Sequence, residues 1–91
     1  MNRSQLYAIA ADRAGISKNQ AQQALDAAFE AMAAALERGE KVQLSGFGTF
    51  ETKQRKEKVG RDPRTGEAIS IPAARTPVFK PGKNLRQRIA K

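Results

Sequence analysis

The side chains of this sequence that could do chemistry are its lysines and arginines, and they are unevenly placed. Five of the 17 (Arg3, Arg13, Lys18, Arg38 and Lys41) fall in positions 1–46, where five acids balance them. The other twelve fall in positions 47–91 against four acids, so the whole net charge of +8 lies in the second half. A basic segment beside a neutral one is the electrostatic footprint of a protein that meets a polyanion. Lys53, Arg55, Lys56 and Lys58 crowd into one short run, and Arg61, Arg64 and Arg75 follow it. Lys80, Lys83, Arg86 and Arg88 continue toward the end of the chain. Such a row neutralises phosphates and releases their counterions, although any one member alone reads as solvated surface charge.

Other chemistry is poorly served. The chain has no Cys and no His, which removes disulfides, thiolate metal sites and the commonest general base. The nine carboxylates are scattered, with no pair in an apolar setting. Gly46 and Gly48 look like the start of a phosphate-binding glycine loop, but position 51 is Glu and no helix follows. A binding protein without metal or cofactor is therefore expected, not an enzyme. No apolar run approaches a membrane span and no signal peptide opens the chain, so an intracellular, soluble protein is expected.

The elements that must carry the charges are legible in outline. Asn2 with Gln5, and Ser17 with Gln20, have the spacing of capping boxes, and Gly15 and Gly39 stand where helices end. The first helix places Leu6, Ile9, Ala10 and Ala14 on one face. Ile16 and Ala21 could staple the second helix, which runs to about Arg38. Its apolar face reads Ala21, Leu25, Ala28, Phe29, Met32 and Leu36, with an alanine flank beside it. So wide a stripe suggests contact on more than one side, or alanine used as a good helix former. From Lys41 the period changes to two, and Ser45-Gly46 reads as a turn. Phe47, Phe50, Val78 and Phe79 should return to a core, and Gly48 suggests a tight backbone approach or a bulge. Residues 53–58 hold no apolar side chain, and 60–66 form a turn region rich in Gly and Pro. Alternation resumes at Ile69 and Ile71, and Pro72 and Pro77 call for an edge or a solvated ribbon. The outcome is a polar hairpin that leaves the body, or else a disordered basic loop. Pro81-Gly82 breaks the strand, and Lys83–Ala90 form a short helix with Leu85 and Ile89 on one side.

Single-strand and RNA platforms stack bases on exposed aromatics, and the arm has none. A duplex is favoured over unstacked bases, with an RNA-binding structural protein as the alternative. The composition does not choose between grooves.

The stretch Leu44-Ser45-Gly46-Phe47-Gly48-Thr49-Phe50 resembles the signature of the bacterial HU/IHF nucleoid proteins. So do Gly60-Arg61-Asp62-Pro63-Arg64-Thr65-Gly66 and Phe79-Lys80-Pro81-Gly82-Lys83, and the likeness runs from Asn2 to Ile89. The resemblance implies an α+β fold and an intertwined dimer. Residues 1–40 would form a helical base, 41–52 and 76–82 a small antiparallel β-saddle, 53–75 a protruding arm, and 83–91 a short C-terminal helix. Leu25, Phe29, Met32, Leu36, Leu44, Phe47, Phe50 and Phe79 would form the dimer core. Proteins of this class, HU and IHF among them, bend the duplex by wedging apolar side chains between base steps from the minor groove. Pro63 matches that wedge. Arg55, Lys58, Arg61 and Arg64 match arm positions, and Lys80, Lys83 and Arg86 match the saddle and flank. Lys53, Lys56, Arg75 and Arg3 complete the expected DNA-binding set, and Arg3 also matches an ion pair with Asp26. The chain looks closer to HU, sequence-tolerant and mostly homodimeric, than to the site-specific heterodimer IHF. Bent or nicked duplex would be favoured, in the nucleoid of the cytoplasm. Asp62 departs from the Asn common at that position.

Overall fold

The computed structural model describes residues 1–71 and 73–90. The chain divides into two compact units, Met1–Ala35 and Leu36–Lys91. Eight elements follow one another: α1 (Arg3–Ala14), α2 (Lys18–Glu37), β1 (Val42–Leu44), β2 (Gly48–Arg55), β3 (Lys58–Arg61), β4 (Ala68–Ile71), β5 (Ala74–Pro81) and α3 (Lys83–Ile89).

In the first unit the capping residues do what their spacing promises. The Asn2 side chain accepts from the Gln5 amide at 2.9 Å, and Gln5 Oε1 accepts from the Asn2 amide at 3.0 Å. Ser17 and Gln20 repeat the exchange at 3.1 and 3.0 Å. Gly15 takes the left-handed conformation, φ 69°, and Ile16 N–H reaches back to Ala11 O at 3.0 Å. That six-residue closure satisfies carbonyls the helix end leaves open.

The inward face of α1 differs from the periodicity reading. Tyr7 and Ala11 are buried with Ala21, whereas Ile9 and Ala14 are exposed. Ile16 is exposed too, so only the Ala21 half of the expected staple is covered. The tyrosine wins because its ring can go in while its hydroxyl donates to the half-buried Asp26 carboxylate. That bond holds the Tyr7 hydroxyl above its ordinary pKa.

In the second unit β1, β2 and β5 form an antiparallel sheet in that order, and β3 pairs with β4 in a separate two-stranded ribbon. Leu44 to Phe47 make the first turn, closed by Phe47 N–H to Leu44 O at 2.9 Å, with Gly46 at φ 81° as its third residue. Val42 pairs with Phe50, Phe50 with Phe79, and Gly48 with Pro81. Gly48 is buried. A Cβ there would lie 2.6 Å from the Phe79 ring and 2.7 Å from Lys80 O, so the close backbone approach is present. Gly82 N–H donates to Phe47 O at 2.9 Å, which docks the start of α3 on the first turn. Pro77 lies in β5 on the sheet edge, where a residue without N–H is tolerated. Pro72 lies outside the described residues.

Pleating gives the sheet two unlike faces. Val42, Leu44, Phe50, Phe79, Pro77 and Pro81 share one. The Phe79 ring centroid is 4.7 Å from that of Phe50 and 5.6 Å from that of Phe47. The expected core is nevertheless not enclosed by one chain. Phe47 is 47% exposed, Phe79 38% and Leu44 37%. Phe50 is only half-buried, as are Leu25, Phe29, Met32 and Leu36 in α2. No large side chain among the described residues is fully buried. The periodicities mark which face is apolar, but among the described residues much of that face is exposed.

Candidate nucleic-acid interface

The opposite face of the sheet carries the charge. Gln43, Thr49, Glu51, Lys53 and Arg55 project there with Ala74, Thr76, Val78 and Lys80 from β5. Lys53, Arg55 and Lys80 are solvent-exposed. Glu51 alone among these strand residues is acidic, and it is buried. Its carboxylate lies 2.7 Å from Lys80 Nζ and 3.6 Å from Lys41 Nζ. The hydrogen bond from Lys80 holds the Glu51 carboxyl below the usual carboxylate range, against the opposing effect of burial. Lys41 was missing from the expected set. Its place follows from the hairpin register, since the pairing of Val42 with Phe50 brings Lys41 across from Glu51.

This pair has a pH consequence. A carboxylate depressed in the folded state stabilises the fold above its unfolded value, near 4.5, and loses that contribution as the pH falls through the folded value. Glu51→Gln should therefore narrow the difference in urea midpoint between about pH 7 and about pH 3. An equal drop in both proteins would show that Glu51 contributes nothing to the acid limb.

Beyond Arg55 the outgoing strand of the ribbon breaks at Lys56 and Glu57. Ser70 Oγ donates to Glu57 Oε1 at 2.8 Å across the break, and the distal hairpin follows, with Lys58 opposite Ile71 and Arg61 opposite Ala68. Lys58 and Arg61 stand an odd number of residues apart and so project to opposite sides of the ribbon. Val59, absent from the sequence reading, is 78% exposed on the side that carries Arg61.

The tip is ordered by its own backbone. Asp62 Oδ1 accepts from Arg64 N–H at 2.9 Å, and Asp62 O accepts from Gly66 N–H at 2.7 Å. Asp62 N–H donates to Glu67 O at 2.8 Å. The Asp62 carboxylate thus forms the side-chain turn that Asn or Asp favours, and exposed Pro63 stands at the apex beside Arg64.

On α3, Lys83 and Arg86 line one shallow depression with Gln87 and Ala90, and Ile89 is exposed. Besides Lys80, which is paired with Glu51, two further expected contacts are engaged within the chain. Arg75 lies on the apolar side of the sheet and donates to Glu37 O at 2.9 Å. Arg3 belongs to the first unit, where its Nη1 lies 3.6 Å from Asp26 and its guanidinium 5.1 Å above the Phe29 ring. An exposed pair of this kind contributes little stability.

Among the described residues no cluster of metal-binding side chains occurs, and no helix is long and apolar enough to cross a membrane. A two-faced sheet, basic on one side and continued by a basic hairpin, defines a β-ribbon binding protein for a polyanion. The chain belongs to the bacterial DNA-binding protein family, whose description "Bacterial DNA-binding protein" matches residues 1–90. It is 48% identical over 89 residues to DNA-binding protein HU-1 of Halalkalibacterium halodurans, covering 98% of this chain and 99% of that one. It is 48% identical over 91 residues to DNA-binding protein HU of Clostridium pasteurianum, covering 100% of both. Among solved structures, an Anabaena HU–DNA cocrystal matches with a TM-score of 0.91 at 43% identity, covering 99% of this chain and 98% of that one. HU from Thermotoga maritima matches with a TM-score of 0.69 at 32% identity, over 98% of each.

Proposed function

We propose that this protein is a histone-like architectural DNA-binding protein that grips duplex DNA through the minor groove, with little sequence preference, and bends it. The observation that carries the reading is the gathering of Lys80, Lys53 and Arg55 on one face of the sheet, followed by the basic hairpin whose tip holds Pro63. Phosphate contacts position a protein without reading bases, and this face offers chiefly such contacts. The relatives, named DNA-binding protein HU, favour an HU-like protein over an IHF-like, site-specific heterodimer. Action in the nucleoid, within the cytoplasm, goes with that reading. The half-open apolar face and the half-buried side of α2 support a homodimer, in which Leu25, Phe29, Met32, Leu36, Leu44, Phe47, Phe50 and Phe79 meet a second copy. Lys56, Lys58, Arg61 and Arg64 serve the arm, Lys83 and Arg86 the flank, and Arg3 a place beyond the ribbon. Chemistry on the DNA is not part of the proposed role.

Pro63 separates bending from coating. Its place after Asp62 suits a turn, and its exposed ring suits a wedge. Unstacking a base step costs a few kcal/mol, offset by the contacts a bent duplex makes with the flank. Pro63→Ala should lower the bending of a short duplex labelled at both ends, read by fluorescence transfer at saturating protein. Preference for nicked duplex should fall with it. Equal transfer by both proteins would return Pro63 to a turn role.

A further inference from the structure

Arg75 stands at the root of the arm, but not on its basic face. Its register partner is Gln54, which puts it on the side that carries Phe50 and Phe79, away from Lys53 and Arg55. There its Nη2 donates to the Glu37 carbonyl at 2.9 Å, across 38 residues of chain. Its Nη1 lies 4.0 Å from the place a Cβ would take on Gly39.

Glu37 is the last residue of α2, and its carbonyl is among those a helix end leaves without an internal partner. These carbonyls carry the negative end of the helix dipole, where a cation is favoured. The last turn of α2 contains no basic residue. Arg38, next in the chain, is turned toward Glu40 at 3.1 and 3.3 Å. The cation at this corner is therefore brought by β5. It comes from a particular rung, since Arg75–Gln54 and Ala74–Arg55 are the last pairs before the ribbon breaks.

We propose that Arg75 is a positioning residue that clamps the root of the arm to the carboxy-terminal corner of α2, and is not a phosphate ligand. The clamp fixes the last rung of the continuous ribbon, and so the base from which the distal hairpin swings. Its consequence for DNA rests on the proposed duplex-binding function. The clamp itself does not.

The test uses the full chain with Arg75→Ala and Arg75→Lys. Without DNA, Arg75→Ala should speed amide exchange at Gly39, whose N–H closes the corner on Leu36 O, by about five- to tenfold. Arg75→Lys, which keeps the charge but loses the fork, should fall between alanine and the parent. With DNA, the distribution of end-to-end distances on a labelled duplex should broaden for Arg75→Ala. The slope of log affinity on log salt should stay within about 0.3 of the parent, because no phosphate contact is lost. A fall in slope of about 0.9 per subunit, whatever happens to exchange, would make Arg75 a phosphate ligand and overturn the proposal. Unchanged Gly39 exchange would overturn it too. If the parent shows no salt-linked affinity, the duplex-binding reading fails, and Gly39 exchange still decides for or against the clamp.

Discussion

Duplex affinity should fall by roughly a thousandfold or more between about 50 and 200 mM salt, as expected of a protein that neutralises about six or more phosphates. Lys53 lies on the basic face of the sheet, and Lys83 opens α3. Each is exposed. Lys53→Gln and Lys83→Gln should each flatten the slope by about 0.9 per subunit, because each removes one counterion-releasing contact. The loss should be similar for unrelated sequences, since a phosphate contact carries no base information. The check is a titration by fluorescence anisotropy on two unrelated duplexes over a salt series. A flat response in the parent would remove phosphate binding as the source of affinity. A loss confined to one duplex would turn the basic face into a base reader.

The second large effect concerns folding. Gly48→Ala puts a methyl group 2.6 Å from two atoms of the Phe79 ring and 2.7 Å from the Lys80 carbonyl. The ring can turn aside only by disturbing its contact with Phe50, and the carbonyl belongs to the paired strand. Overpacking of this sort costs about 1–3 kcal/mol, enough to lower the melting temperature of a small domain by several degrees or more. The effect should appear as a lower thermal midpoint at fixed concentration. If, as proposed, a second copy covers the half-open apolar face, the parent's midpoint should itself rise with concentration. A Gly48→Ala midpoint equal to the parent's would mean that the sheet has more room than its geometry implies. A midpoint independent of concentration would count against the dimer.

Local signals in this sequence were legible because each is satisfied within a few residues. The caps at Asn2 and Ser17, the turn at Gly46 and the tip around Asp62 all close on neighbours. The final helix followed from the break at Pro81-Gly82 and the spacing of Leu85 and Ile89, whereas the α+β class was what the family resemblance implied. What escaped depends on partners distant in the chain. Tyr7 reads as a poor core residue until Asp26 takes its hydroxyl. Glu51 reads as one more strand charge until the register sets it between Lys41 and Lys80. Arg75 reads as one of a basic row because charge counting carries no facing, and only the strand pairing with Gln54 turns it to the other side. Periodicity marked Phe47 and Phe79 as apolar-face residues but could not say how much of that face one chain would cover.

The prolines of β5 have a bearing on how copies of this protein share space. Pro77 sits within the ladder opposite Thr52, so its nitrogen must point away from β2. Alternation then turns the nitrogens of Arg75, Phe79 and Pro81 outward as well. Two of those four outward nitrogens carry no hydrogen. A strand approaching this edge would find donors at only half the rungs it needs, on a margin two residues of which are rigid rings. The β5 edge of the sheet is therefore poor seed material for edge-on growth.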